Sequence, residues 1–525
     1  MAGSVDAGVR RALGRCDTRS RWVGVAALLA LLTGGCSGSP DGATDPRPQA
    51  GAENPGESSS TAPKGSPTTQ APASAPSTST PGVPPARALK AAESQPVEDP
   101  YYPQTSNPEV DVLHYLLELV YEGQELSGVV TVTFRATEPT ETIRLDLSNA
   151  LDVRAVSLDG AKASFSHEDD GLMMATPNVT PGPTHTFVIE YAGVPEPTPA
   201  PSKRTDQVDG VGWHVDADGA VYTFQEPFGA FTWYPSNDHP SDEALYDAQI
   251  TTSAPDVGVF NGTLTDEQTD AGLTTTSWHV DEPMATYLTT IAIGPYERYS
   301  GPTKSGLTIT YWLMERDKRL LPEVRRQATA GFDWLVARVG PYPFSSLGFV
   351  VVGGRSAMET QTMITISRGV TQVPGANITH EIAHQWYGNS VSPTDWLGIW
   401  INEGWAMYMQ LWYERETQPA PAGELSPLRR FDDIARQAAG PPGHYDRDSF
   451  AAVNVYLGPA LMLDEIRKQV GDETFGQLVK AWPAEHENEH VDRAEFTRWV
   501  NDYTGQDLTA LIDRWLDSPR TPRLG

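Results

Sequence analysis

The pattern of apolar and polar positions changes near residue 300. Before that point the chain contains short β-type runs such as VVTVTF (129–134) and TIRLDL (142–147). Turn signals such as Asp159-Gly160 interrupt these runs. Short runs of this kind, divided by turn residues, are typical of strands joined by tight connections. Residues 101–300 are therefore predicted to form an N-terminal antiparallel β domain.

Residues 301–525 show helical spacing instead. Apolar residues recur at helical intervals in LPEVRRQATAGFDWLVARVG (321–340), and the pattern ends at Gly340. Residues 458–482 predict two helices separated at Gly471-Asp472, because glycine commonly ends a helix and aspartate can cap the next. Another buried helix is predicted to start in WLGIWINEGWAMYMQ (396–410). The predicted fold class is α+β, with a β-rich domain followed by a mainly helical one.

The first 100 residues have neither pattern. Residues 1–35 combine an arginine-rich start with the apolar run WVGVAALLALL (22–32), which is typical of an export signal and too short to span a bilayer comfortably. The following LLTGGC resembles a bacterial lipobox, so Cys36 is predicted to carry a lipid and to become the mature N-terminus. The alternative is an ordinary signal peptide, which would give a secreted protein. Residues 36–100 are dense in Pro, Ser, Thr, Gly and Ala and are predicted to be a disordered linker.

Composition restricts the possible partners. A chain of 525 residues can form two or three domains, and a net charge of −30 opposes binding to nucleic acid, which requires a basic surface. The two cysteines, Cys16 and Cys36, leave no disulfide once the signal is removed and Cys36 is lipidated. The expected location is therefore the outer face of a membrane, held by the lipid. Nothing in the sequence indicates an oligomeric state.

Candidate chemistry lies in residues 380–403. The motif HEIAH (380–384) places His380 and His384 on one face of a helix, so that both imidazoles can reach one metal ion. Glu381 points near the same site and can act on a water molecule there. Nineteen residues after His384, Glu403 supplies a third ligand from the next predicted helix. Two histidines and one glutamate are a ligand set of catalytic zinc sites, so one Zn²⁺ per chain is predicted.

A second HExxH match occurs at HENEH (486–490). Its surroundings, PAEHENEHVDRAE, are polar throughout, and the residue nineteen positions after His490 is Thr509, which is a poor ligand. This segment is interpreted as a solvated loop.

The stretch THEIAHQWYGNSVSPTDWLGIWINEGWAMYMQ resembles the aminopeptidase N family of gluzincin metallopeptidases. The resemblance extends over roughly 106–525 and includes GGRSAMETQT, which is similar to that family's G-A-M-E-N signature. Ala357, Met358 and Glu359 match the signature, whereas Ser356 and Thr360 depart from it. The resemblance implies a saddle-like β domain followed by a thermolysin-like zinc peptidase domain.

The resemblance also implies roles for individual residues. VYLGPALMLDEIRKQVGDETF matches the segment that carries a catalytic tyrosine, here Tyr456, which would donate to the developing oxyanion. YTFQEPFGAFTWYPSNDHP resembles the segment that supplies a substrate-binding glutamine, here Gln225, with Glu226 as a rival. Glu359 would bind the free N-terminal ammonium of a peptide, and the strand with Ala357 and Met358 would pair with its backbone.

These features predict a zinc aminopeptidase that removes the first residue of peptides with a free N-terminus. Zinc would activate a water molecule, Glu381 would serve as general base and Tyr456 as oxyanion donor. Two alternatives remain: another metallohydrolase on the same scaffold, such as an endopeptidase or an epoxide hydrolase, and a non-catalytic peptide-binding lipoprotein.

Overall fold

The computed structural model describes residues 84–369, 377–417 and 426–523. The predicted signal segment, Cys36 and residues 37–83 of the predicted linker lie outside these ranges. None of the described helices combines the length and the apolar composition that a membrane crossing requires.

Residues 84–105, called the strap below, correct the predicted linker boundary at residue 100. They begin with helix α1 (Ala86–Ala91), whose Leu89 is buried, as is Ala92 after it. Small apolar residues can therefore pack here although the segment has no aromatic side chain before Tyr101. Residues 84–100 therefore belong to the packed structure and not to a linker.

A single carboxylate fixes the end of the strap. Asp99 accepts hydrogen bonds from the backbone N–H groups of Tyr101, Tyr102 and Trp396, and it pairs with His239 at 3.1 Å. Trp396 belongs to the helical domain and His239 to the β domain. The strap therefore contacts both domains through one fully buried group.

The N-terminal domain consists of strands that form three sheets in residues 110–294. The strands are β1 (Val110–Glu122), β2 (Glu125–Ala136), β3 (Thr142–Asp146), β4 (Leu151–Leu158), β5 (Ala161–Lys162), β6 (Phe165–Glu168), β7 (Gly171–Ala175), β8 (Thr184–Gly193), β9 (Gly212–Val215), β10 (Val221–Phe224), β11 (Glu243–Ser253), β12 (Val257–Phe260), β13 (Thr263–Asp270), β14 (Leu273–Ala285) and β15 (Ile291–Gly294). The sheet orders are β13-β14-β11-β1-β2-β8-β4-β5, β12-β15-β10-β9 and β3-β7-β6.

The large sheet departs from the predicted antiparallel arrangement at one pair. Strands β1 and β11 run parallel, whereas their other neighbours in this sheet are antiparallel. Parallel neighbours need a long crossover, and the chain between these two strands provides one. By contrast, β1 and β2 form a tight hairpin, in which Gly123 and Gln124 adopt the positive φ angles that favoured two-residue turns require.

The C-terminal domain begins slightly before the predicted boundary at residue 301. Strand β16 (Tyr296–Pro302) already belongs to its five-stranded sheet. The order of that sheet is β16-β17-β18-β20-β19, with β17 (Thr308–Met314), β18 (Leu347–Val352), β19 (Ala357–Met358) and β20 (Met363–Ser367). Strand β19 lies at one edge and pairs only with β20, so its other backbone edge is free of strand partners within the described residues.

The helices of the C-terminal domain follow the predicted order. They are α2 (Leu321–Arg338), α3 (Asn377–His384), α4 (Ile399–Thr417), α5 (Ser426–Ala439), α6 (Val453–Val470), α7 (Asp472–Glu485), α8 (Arg493–Thr504) and α9 (Thr509–Asp517). A short parallel pair, β21 (Val391–Pro393) with β22 (Glu489–Val491), completes the domain. The predicted break between two helices at Gly471 is confirmed: its φ of 88° and ψ of 156° suit glycine.

Helix α3 lies in the centre of this domain. It packs against α2 and α4, and α4 packs in turn against α6. Every residue of α3 is buried. The polar side chains of the HEIAH motif are therefore surrounded by protein, where an unpaired charge would be costly.

Candidate active site

The structure brings the three predicted metal ligands together. His380 and His384 lie one turn apart on α3, and Glu403 faces them from α4. The His380 Nε2 atom lies 3.1 Å from Glu403 Oε2 and 3.1 Å from His384 Nε2, and the third separation, His384 Nε2 to Glu403 Oε2, is 3.4 Å. All three side chains are almost completely buried.

These separations fit zinc. Tetrahedral nitrogen and oxygen ligands about 2.0–2.1 Å from zinc stand about 3.4 Å apart, close to the spacing seen here. The carbonyl of Tyr387 lies 3.1 Å from Nδ1 of His384 and so leaves Nε2 for the metal. The donor atoms and their spacing could hold a zinc ion and leave a place for one further ligand.

Opposite charges concentrate at the centre. Burial alone would raise the pKa of Glu403, but hydrogen bonds from His380 and His384 lower it well below its usual range. Burial alone would lower the pKa of His384, yet the carboxylates of Glu359 and Glu403 raise it to about 10. Both shifts reflect a compact cluster of partners in a site from which water is largely excluded.

Glu381 lies beside the metal ligands. A carboxylate oxygen of Glu381, one of Glu359 and a ring nitrogen of His384 all lie within 4.8 Å of one another. Burial raises the pKa of Glu381 to about 8. The residue thus has the proximity and the basicity that proton transfer requires.

Glu359 follows directly after the edge strand β19, as the sequence predicts. Its backbone carbonyl accepts hydrogen bonds from Gln385 and Asn389, which fix the segment against the end of α3. Its side chain is buried, and Oε1 has no hydrogen-bond partner among the described residues. Burial raises the pKa of this carboxyl. A buried carboxylate oxygen without a partner is a place for a cationic ligand group.

Gln225 does not reach the cleft. Its amide donates to the Thr286 carbonyl at 2.9 Å and to Thr289, and its carbonyl accepts from Trp233 Nε1 at 3.0 Å. The side chain is completely buried, so these bonds use its polar atoms within the core. The geometry therefore gives no support to the prediction that Gln225 binds substrate.

The neighbouring Glu226, which was the rival candidate for substrate binding, does line the cleft. It lines a pocket together with Ala357 and Met358. Its Oε1 atom is buried and has no hydrogen-bond partner among the described residues. Burial, followed by the nearby carboxylates of Glu359 and Glu403, raises the pKa of Glu226 well above its usual value. Glu226 and Glu359 thus form a pair of acidic groups beside the zinc centre.

Tyr456 lies on α6 and its ring stacks near that of His380, with centroids 6.0 Å apart. Burial raises the pKa of its hydroxyl well above the usual value, so the group stays protonated and can donate a hydrogen bond. The guanidinium of Arg204 approaches this hydroxyl at 3.4 Å. No sequence motif pointed to Arg204, which lies in an irregular segment between β8 and β9.

The second HExxH segment is more ordered than the solvated loop that was predicted. His486 is buried and contacts the Trp482 carbonyl at 3.0 Å, and residues 489–491 form β22. The Nε2 atom of His486 lies 3.3 Å from Oε1 of Glu495. Among the described residues, the clusters with metal-ligating spacing both include His384. The short strand interrupts any helix here, so the motif spacing does not create a site.

Comparison with known proteins identifies the family. Residues 340–515 match the Peptidase family M1 domain, and residues 111–288 match the Peptidase M1 N-terminal domain. The chain belongs to peptidase family M1. In this M1 chain the predicted metal ligands lie in the Peptidase family M1 domain, and Glu226 lies in the M1 N-terminal domain.

Relatives of the M1 chain include leucine aminopeptidase 2 of Saccharomyces cerevisiae, 27% identical over 375 residues, which are 66% of this chain and 52% of the relative. Aminopeptidase N of Streptomyces lividans is 24% identical over 446 residues, 76% of this chain and 48% of the relative. The M1 chain thus spans about half the length of these curated relatives.

One solved structure matches this chain over nearly the whole length of the solved protein. The M1 zinc metallopeptidase from Deinococcus radiodurans superposes with a TM-score of 0.69 at 26% identity, covering 81% of this chain and 98% of that one. A mutant of the same protein has been solved with a Tyr-Ser-Ala substrate, at a TM-score of 0.69 and 26% identity, covering 80% of this chain and 98% of that one. The arrangement of a β-rich domain followed by a helical M1 domain is common to both proteins.

Proposed function

We propose that this protein is a zinc aminopeptidase that removes the N-terminal residue from peptides. The observation that carries the proposal is the pair of buried, partly unpartnered carboxylates, Glu226 and Glu359, beside a three-ligand zinc centre. An endopeptidase cleft has no need for two acidic groups at this position, whereas the free amino group of a peptide needs anionic partners when it leaves water.

The peptide ammonium is held by Glu226 and Glu359. Each free carboxylate oxygen accepts one of its hydrogens, and the cation relieves the repulsion between the two acids. Charge-assisted hydrogen bonds of this kind contribute about 1.5–3 kcal/mol each. Because the ammonium is fixed next to the metal, only the first peptide bond reaches the reacting groups. Glu226 takes the role that the sequence had suggested for Gln225.

The substrate backbone pairs with the free edge of β19. Ala357 presents its backbone groups there, because the carbonyl of the preceding Ser356 accepts a hydrogen bond from Ser367 and successive residues of a strand face alternate edges. An extended peptide can add to such an edge as a further strand. This contact is independent of side chains, so it orients the scissile bond for many sequences.

In the proposed reaction, zinc, Glu381 and Tyr456 each have a separate task in the cleavage of the peptide bond. His380, His384 and Glu403 would hold the zinc ion, which would supply polarisation of the scissile carbonyl and acidification of a water molecule. Glu381 accepts a proton from the attacking water and passes it to the leaving amine. Burial raises the pKa of Glu381 to about 8, and a cation held beside it would favour the ionised form that serves as the base. Tyr456 stays protonated and donates to the carbonyl oxygen as negative charge develops there.

The decisive test compares one fluorogenic peptide with its N-acetylated form. The wild type should cleave the free peptide and be a poor catalyst for the acetylated one. Glu226→Gln and Glu359→Gln should each lower kcat/KM for the free peptide about ten- to a hundredfold, because each loses one charged hydrogen bond. Glu381→Gln should abolish turnover with bound zinc retained. Glu473→Gln, an exposed acid on α7, is the matched control and should leave both rates unchanged.

Two results would overturn the proposal. Equal cleavage of both peptides, with no effect of Glu226→Gln or Glu359→Gln, would identify an endopeptidase. Tight peptide binding without hydrolysis by the zinc-loaded wild type would identify a peptide-binding protein.

For location, we propose that a lipid on Cys36 holds the enzyme on the outer face of the cell membrane. The motif LLTGGC and the preceding apolar run support this proposal. Cys36→Ser should move the protein from the membrane fraction to the soluble fraction and leave peptidase activity intact. If the variant stays with the membrane, another segment is the anchor.

A further inference from the structure

Arg204 extends from the segment between β8 and β9 to the hydroxyl of Tyr456. Its Nη1 atom lies 3.4 Å from Tyr456 Oη and 3.2 Å from the carbonyl oxygen of Ala451. Only 11% of the Arg204 side chain is exposed. A buried cation thus bridges the β domain and the residues that lead into α6.

The guanidinium is held in a fixed orientation. Its Nε and Nη2 atoms donate to the two carboxylate oxygens of Asp206 at 3.1 and 2.6 Å, a bidentate pair in which Asp206 is 2% exposed. Burial alone would lower the pKa of Arg204, but Asp206 raises it well above its usual value. The fork geometry leaves Nη1 pointing at Tyr456 and Ala451.

The direction of this hydrogen bond determines what Tyr456 can do. A guanidinium only donates, so the oxygen of Tyr456 must act as the acceptor. The single hydrogen of the hydroxyl is then turned away from Arg204 and toward Glu403 at the predicted metal centre, with which Tyr456 also forms a hydrogen bond. Catalytic hydrogen bonds are often long before substrate binds, so a separation of 3.4 Å is compatible with a working contact.

We propose that Arg204 is a positioning residue that orients the Tyr456 hydroxyl, so that its hydrogen points at the carbonyl oxygen of the substrate. The inference rests on the proposed role of Tyr456 as oxyanion donor. Arg204 lines the same pocket as Glu226, Ala357 and Met358, and in this proposal it acts through Tyr456. Its charge also draws electron density from the phenol and strengthens the donor as negative charge develops nearby.

A double-mutant cycle in the zinc-loaded, full-length protein tests this role. Tyr456→Phe should lower kcat about a hundredfold or more through loss of the donor. Arg204→Met should lower kcat about tenfold and leave KM nearly unchanged, because the donor remains but is no longer oriented. In the Tyr456→Phe background, Arg204→Met should have no further effect on kcat. Arg204→Lys should recover part of the loss.

Controls separate orientation from stability. Arg493 also pairs with two carboxylates, those of Asp513 and Asp517, but in the C-terminal helices. Arg493→Met should therefore reduce thermal stability to a similar extent and leave kcat unchanged. If Arg204→Met does not fold, Asp206→Asn provides the same test, because it releases the guanidinium without removing it. Zinc content is measured for every variant.

The possible failures are distinguishable. Wild-type kcat in Tyr456→Phe would refute the role of Tyr456 and the present inference with it. A slow Tyr456→Phe enzyme in which Arg204→Met causes the same fold-loss as in the wild type would overturn the role of Arg204 alone. A raised KM with unchanged kcat in Arg204→Met would mean that Arg204 binds the peptide itself.

Discussion

The charges of the cleft converge on the imidazole of His384. Glu359 and Glu403 raise its pKa to about 10, so in the absence of metal the ring holds a proton at neutral pH. Metal binding needs the neutral ring, and zinc uptake should therefore release a proton. The same carboxylates that favour the proton also favour the metal, because both are cations.

His384→Ala should remove nearly all bound zinc, since the two remaining ligands cannot hold the ion in a buried site. Elemental analysis of the purified variant measures this directly. His486→Ala is the matched control, because it removes a histidine from the other HExxH segment and should retain one zinc per chain. Full zinc content in His384→Ala would mean that the metal binds at the second HExxH segment instead.

Spacing in the sequence was sufficient to predict that His380, His384 and Glu403 come together, but not which other side chains line the cleft. Residues i and i+4 on a buried helix must share a face, so His380 and His384 were predictable. Gln225 and Glu226 are adjacent just beyond the end of β10, where only one of two successive side chains can enter the cleft. The motif identified the segment but could not show which of the two side chains enters the cleft. Arg204 lies in a segment without periodicity and gave no signal.

Among the secondary-structure elements, Gly471 separates α6 from α7 with a backbone conformation that other residues rarely adopt. A Cβ atom at this position would meet no heavy atom within 4 Å, so any cost of substitution comes from backbone strain alone. Gly471→Ala should lower the free energy of unfolding by about 1–3 kcal/mol.

Gly476→Ala is the matched control for this prediction. Gly476 lies inside α7, and its Cβ position is equally open. Alanine there should raise the free energy of unfolding by about 0.5–1 kcal/mol, because alanine loses less backbone entropy in a helix. Chemical denaturation measures both variants. Equal effects of the two substitutions would show that backbone conformation at Gly471 is not the determinant.

Three neighbouring strands of the large sheet are joined by one carboxylate. Asp247 on β11 bonds to His114 on β1 at 3.0 Å and to His279 on β14 at 2.7 Å. Burial alone would raise the pKa of Asp247, but the two histidines lower it to about 2. A carboxyl with a depressed pKa in the folded state stabilises the fold above about pH 4, and this contribution is lost as the pH falls toward 2.

Asp247→Asn should consequently lower the free energy of unfolding by about 2 kcal/mol at pH 6. The difference from the wild type should shrink below about pH 4, because the unfolded wild-type chain then binds a proton at this carboxyl while the folded chain keeps the charge until about pH 2. Urea denaturation at pH 6 and pH 3 provides the comparison. A difference that stays constant between the two pH values would mean that packing, and not ionisation, accounts for the effect.

For the whole molecule, the strap makes the packed unit larger than the two predicted domains. Removal of residues 84–100 would leave the N–H groups of Tyr101, Tyr102 and Trp396, together with His239, without their shared acceptor. Loss of a buried charged partner costs about 3–5 kcal/mol. A chain that starts at residue 101 should therefore melt several degrees below one that starts at residue 84.

Calorimetry of the two chains measures the difference, and Asp99→Ala in the longer chain should reproduce most of it. Identical melting temperatures would show that the strap adds no stability. At temperatures where both chains are folded, kcat/KM should be similar, because the strap does not line the zinc centre.

The order of strands and helices was predictable because hydrophobic periodicity is a local property. The parallel pairing of β1 with β11 was not, since it depends on contacts between segments more than a hundred residues apart. The strap was missed for a related reason. Its composition resembles a disordered linker, and only the surfaces that it meets on both domains give it a fixed conformation.

The paired acids Glu226 and Glu359 also have a consequence for the chemist at the bench. If the two acids hold one primary ammonium as proposed, the cleft does not distinguish the amine of a peptide from that of a free amino acid or of Tris buffer. Released amino acids should therefore slow the reaction as they accumulate. Tris should likewise raise the apparent KM for the peptide. Kinetic constants for this protein are best measured from initial velocities in a buffer that contains no primary amine.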